Sequence, residues 1–180
     1  MSDPARLTRC PDGGTVCRRH RVARPGLRQI SAACGLVHSA ACLTGADALL
    51  QPALRALAQA CAVSINEDGA VASRNPEELL EIFAKLTWTA ALLAEIGQPR
   101  DLSLANTLGR LVPVLRALRM SDGALPQSHG GGPGQPGLLD FALRQSGERP
   151  SEAAGPVLGV ARMNAGPVSL SLDAAAPPFG

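Results

Sequence analysis

The sequence predicts a mainly α-helical chain that ends in a short β-hairpin. Four long segments between residues 27 and 119 repeat apolar residues at helical spacing. Two Asp-Gly turns, Asp68-Gly69 and Asp122-Gly123, each follow such a segment and stand 54 residues apart, which leaves room for one helical hairpin between them. After residue 157 the period drops to two, as in Val168-Ser169-Leu170-Ser171-Leu172.

A chain of 180 residues is long enough for one domain with a core, since a domain of this size buries roughly 70% of its unfolded surface. Three Phe, one Trp and no Tyr mean that the core must be small-residue helix packing. A net charge of +2 gives no argument for nucleic acid, and the arginines between Arg18 and Arg28 have no interleaved aromatic residues for base stacking. They read as a solvated tail.

Residues 1–26 mix Pro, Gly, Arg and Cys without apolar periodicity, so the sequence predicts a disordered basic segment. The first helix is expected over 27–43, where Ile30, Cys34, Val37 and Ala41 share a face, and Gly45 ends it. The second is expected over 47–64, with Leu50, Leu54, Leu57 and Cys61 in one stripe and Pro52 tolerable in the first turn. The third has the clearest start: Asn75 can cap, Pro76 suits the first helical position, and Glu78 stands at the capping-box position. It should run to Gly97 and Pro99.

The fourth helix, over 102–119, carries Leu104, Leu108, Leu111, Leu115 and Leu118 on one face, with a kink expected at Pro113. A glycine-rich stretch at 130–137 precedes a short helix over 138–145. Two strands are expected at 157–163 and 168–172 around Asn164-Ala165-Gly166-Pro167. A lone hairpin is marginal in water, so 156–180 reads as a sheet begun but not finished, after a helical unit over 27–147.

Five cysteines at 10, 17, 34, 42 and 61 make no even framework and show no two-residue zinc spacing, so buried free thiols are expected. Cys17 and His20 beside an arginine run give a poor metal pair, and no metal or cofactor is expected. No run approaches the ~18 apolar residues of a membrane span, and 30–46 lies too far from Met1 for a cleaved signal. The chain reads as soluble, with no membrane or nucleic-acid partner.

Asp68-Gly69 with Ser73-Arg74-Asn75-Pro76, Leu86-Thr87-Trp88, and Arg119 through Gly132 resemble parts of heparinase II/III family proteins, over residues 28–178. The resemblance implies an incomplete α/α toroid of antiparallel helical hairpins leading into a β-sandwich. It implies eliminative cleavage of a uronate-containing polysaccharide, in which Tyr and His carry the protons and Asn, His or Arg neutralise the sugar carboxylate. This chain has no Tyr, and His20, His38 and His129 stand outside the family's Asn-His helix motif, so no catalytic residue is assigned. Arg74, Asn75 and His129 are the implied substrate-binding residues, with an acidic polysaccharide as partner and no lyase activity from this chain alone. Family members are often periplasmic, yet no segment reads as a convincing export signal, so the localisation of this chain stays open.

Each of these residues also has a structural reading. Asn75 serves as a helix cap, Arg74 and His129 as loop residues, and Trp88 packs in a helix covered on both sides. A rival for the whole chain is a non-catalytic helical interaction module that self-associates through exposed apolar helix faces.

Overall fold

The computed structural model describes residues 25–148, 156–165 and 168–175. The basic segment and the Cys17/His20 pair lie almost wholly outside these residues. The order is α1 (Leu27–Cys42), a 3-10 turn (Asp47–Leu49), α2 (Leu50–Ser64), α3 (Pro76–Glu95), α4 (Leu102–Leu118), α5 (Leu138–Ser146), β1 (Val160–Ala165) and β2 (Val168–Asp173). The fold is mainly helical with a two-stranded antiparallel hairpin at its C-terminal end.

α3 is the central helix, packing on α1, α4 and α5, while α1 and α2 form a hairpin. Its sequence explains this role, because Leu79, Leu80, Ile82, Phe83, Ala84 and Leu86 are all buried and no single stripe could be. Ile30, Ala33 and Val37 of α1 meet it with small or branched side chains, and Leu57 and Ala60 of α2 are buried in the same core through α1 and α4, as a core with few aromatic residues requires. Leu111, Val112 and Leu115 close the core from α4.

The helix starts follow capping chemistry. The Asn75 carboxamide accepts the N–H groups of Glu77 (2.9 Å) and Glu78 (3.2 Å), and Asp101 accepts that of Leu104 (2.8 Å). The capping box does not close on itself: Glu78 Oε1 instead accepts the N–H of Leu27 at the start of α1 (3.1 Å). That contact ties two helix N-termini together. α4 continues through Pro113, and a Cβ on Gly109 would meet nothing within 4 Å.

Two expectations are corrected. β1 begins at Val160 rather than 157, because Leu158 (φ 51°) and Gly159 (φ 75°) take left-handed backbone and turn the chain before pairing starts. Trp88 is 43% exposed, since none of the described residues covers that face of α3.

The hairpin sits on the body in an unusual sense. Met163, Val168, Leu170 and Leu172 project on its exposed face, whereas Arg162 and Asp173 reach the helical body from the other. Arg162 donates to the carbonyls of Ala117 (3.2 Å) and Arg119 (2.6 Å), capping the C-terminal end of α4 where unpaired carbonyls and the helix dipole favour a cation. Neither strand packs its backbone against a helix.

Candidate functional site

Four segments converge at one edge of the body: the turn 71–75 into α3, the loop 128–132, the hairpin start at 157–159 and its end at 173–175. The Ile65–Val71 bridge fixes the first, and Arg74 N–H donates to Val71 O (3.0 Å). The loop is held because Gly132 N–H donates to Glu77 Oε2 (2.6 Å) and because Gly131 lies where any Cβ would run into the Asn75 carboxamide. Glycine is required there by close approach rather than by φ.

Arg74 is the hub. Its side chain is 11% exposed, its Nε donates to Leu158 O (2.7 Å), and its guanidinium pairs with the Asp173 carboxylate. One side chain therefore holds both legs of the hairpin. The second Asp173 oxygen lies 3.2 Å from His129 Nε2, an ion-pair distance without hydrogen-bond alignment. The hydrogen bond from Arg74 holds the Asp173 carboxyl below the usual aspartate range, helped by the Ala175 N–H and by the charges of Arg74 and His129, against a smaller desolvation effect. That sets a direction for pH: the stabilisation is present above the ordinary aspartate range and is lost as pH falls through the lowered value.

Arg74 (φ 54°), His129 (φ 51°) and Leu158 (φ 51°) are the non-glycine residues with positive φ among the described residues, and all three belong to this cluster. Such backbone costs about 1–3 kcal/mol per residue and persists only where surrounding contacts fix it. Beside the cluster a cleft of about 700 Å³ opens between the 66–74 turn, α4 at Gly109–Val114 and the hairpin base.

The sequence named Arg74, Asn75 and His129, and the fold brings them to one edge. Arg74 and His129 meet at Asp173, whereas Asn75 spends its carboxamide on the α3 cap. Asp173 and Leu158 were missed. Asp173 is the charged end of the polar half of β2, and its direction could not be read without knowing which hairpin face meets the body.

Away from this edge, His38 Nε2 lies 3.1 Å from the hydroxyl of Thr89, which donates to Lys85 O (2.8 Å), and burial lowers the His38 pKa. Nearby, burial pushes the Cys34 thiol up and the Cys61 thiol up to about 12, so neither supplies thiolate near neutral pH. Cys42 is exposed, contrary to the expected burial, because it lies at the open end of α1. Among the described residues no group of three or more His, Cys, Asp or Glu could hold a metal ion, and no helix is long and apolar enough to cross a membrane.

No family model matches the chain, and no solved structure matches it. The FtsZ-localized protein C of Caulobacter vibrioides is 30% identical over 135 residues, covering 74% of this chain. The chain spans 23% of that relative's length. These findings overturn the heparinase II/III resemblance, and with it the reading of the chain as a member of a polysaccharide-lyase family. What the chain is similar to is a protein named for its localisation with FtsZ.

Proposed function

We propose that this chain is a helical unit of a cell-division protein that acts where FtsZ assembles. The observation that carries the reading is the 30% identity to the FtsZ-localized protein C across 74% of the chain, a span that takes in most of the helical body whatever its exact limits. Its role there is to hold and position. The Arg74 cluster supports such a role, since a buried guanidinium facing a carboxylate and a carbonyl of the same chain joins segments together.

The test is localisation. A fluorescent fusion of the 180-residue chain, expressed in Caulobacter vibrioides, is expected to form a band at the FtsZ ring and to disperse when FtsZ is depleted. A diffuse signal at every stage of division, from a fusion shown to be intact, would overturn the reading.

A further inference from the structure

We infer that the apolar face of β1 and β2 docks on the same face of a second copy of this chain, giving a weak two-fold dimer in which the strands pack as two layers.

The register of the strands defines this face. Ala161, Met163 and Ala165 of β1 stand opposite Leu172, Leu170 and Val168 of β2, and side chains alternate along each strand, so these six share one side. The other side carries Arg162 and Asp173 and is turned to the helical body. Met163, Val168, Leu170 and Leu172 are each more than half exposed. Elsewhere Val63, Trp88, Leu102 and Phe141 are exposed on four different helices, and apolar residues scattered in this way are ordinary on a folded surface. The hairpin instead gathers four on a face about 20 Å long and two strands wide.

The relief of the face selects its partner. On β2 the branched side chains of Leu172, Leu170 and Val168 form a continuous ridge, while β1 dips at Ala161 and Ala165 on either side of Met163. Sheets stacked face to face keep their strands within about 30° of each other. A two-fold axis parallel to the strands then lays β1 of one copy over β2 of the other without changing height along the strand. Leu172 meets Ala161 of the partner subunit, Val168 meets Ala165 of the partner subunit, and Leu170 meets Met163 of the partner subunit. The two-fold repeats each contact, ridge into dip. A ridge beside a dip is therefore complementary to its own copy, whereas any other partner needs a matching surface of its own.

Charge and area agree with this occupant. The face has no ionisable side chain, so pairing with a copy buries no unpaired charge, and a net charge of +2 opposes association little. Docking also gives a two-stranded hairpin the second layer that it lacks over its apolar side. Two faces of this size bury less than the ~1,200 Å² at which stable interfaces begin, which places the dimer in the weak, concentration-dependent class.

The experiment is sedimentation velocity on the 180-residue chain from about 5 to 500 µM, with reductant present because Cys42 is exposed. The expected result is conversion of monomer to dimer with a dissociation constant on the order of 100 µM. Leu170→Glu places two carboxylates in the interface and is expected to weaken it about tenfold or more, while Trp88→Gln on α3 leaves it unchanged. Ala165→Leu adds apolar surface but fills the dip that receives Val168, so it is expected to weaken the dimer about threefold. All three positions are exposed, and an unchanged thermal midpoint of the helices confirms that each variant is folded. A monomer at every concentration would overturn the inference, as would a dimer that survives Leu170→Glu or is lost with Trp88→Gln. Association unchanged or tightened by Ala165→Leu would also overturn it, by showing apolar adhesion without the ridge and dip.

Discussion

The turns at residues 66–70 and 120–124 share one backbone scheme. Gly69 N–H donates to Asn66 O (3.1 Å) and Gly123 N–H to Met120 O (3.0 Å), while Asn66 N–H reaches Ala70 O (3.0 Å) and Met120 N–H reaches Ala124 O (2.9 Å). Both glycines are left-handed, at φ 76° and 86°. Their surroundings differ. Gly69 is buried against α4, where a Cβ would run into the Arg110 carbonyl and lie 3.1 Å from Val114, and the flanking Ile65 and Val71 pair across the turn. Gly123 faces only the Arg119 guanidinium, 3.5 Å from where its Cβ would be. The same dipeptide is thus a packing element in one place and a simple reversal in the other.

Substitution separates the two. Gly69→Ala combines a left-handed alanine with a clash against helix backbone, so its loss of stability is expected to be about 3 kcal/mol or more. Urea denaturation reads this as a lower midpoint at unchanged slope, and a loss under about 1 kcal/mol would mean that α4 does not press on this turn. Asn75→Ala, a few residues after the same turn, removes the acceptor of two N–H groups and is expected to cost about 1–2 kcal/mol, with Asn75→Asp keeping most of it. If the aspartate variant is as unstable as the alanine variant, the cap is not what Asn75 contributes.

Gly123→Ala pays only for the left-handed backbone, about 1 kcal/mol, seen as a shift of a few degrees in thermal midpoint. A loss as large as that of Gly69→Ala would erase the contrast between the turns. The smallest effect is expected from Asp122→Ala. It removes an exposed contact to Ala124 N–H (2.9 Å) worth roughly 0.5 kcal/mol, and double variants with Gly69→Ala should add, the sites being in separate turns. Departure from additivity would reveal coupling through α4.

Much of the helical body was legible in the sequence. Asn75-Pro76, the stripe through Leu104 to Leu118 and the Asp-Gly turns specify backbone conformation, and local conformation is what nearby residues dictate. The same residues misled the reading of function. Asp-Gly, Asn-Pro and glycine-rich loops report where a chain turns and how a helix starts, in any protein that needs those shapes, and a resemblance built on them carries no chemistry. The hairpin was legible as an alternation of residues, but its orientation was not. Alternation says that Leu170 and Leu172 share one face and Asp173 lies on the other, while the choice of face rests on Arg74 and Arg162, which no period connects to it. Trp88 shows the limit from the other side: its place on α3 followed from the helix, but its exposure depended on what covers that helix.

The arginine at the hub also sets an order of assembly. Arg74 is 84 residues before Leu158 and 99 before Asp173, whereas the hydrogen bonds from α1 to α3 at Leu27–Glu78 and His38–Thr89 span 51 residues. Ribosomal synthesis therefore delivers the receiving side of the clamp, with α3 and α4, before either leg of the hairpin exists. The helices can settle around α3 while the last segment is still being made, and the strands then arrive at a finished surface with Arg74 already in position. Errors in the hairpin would consequently leave the helical body intact, and errors in the 65–75 turn would deprive the late-arriving strands of their anchor.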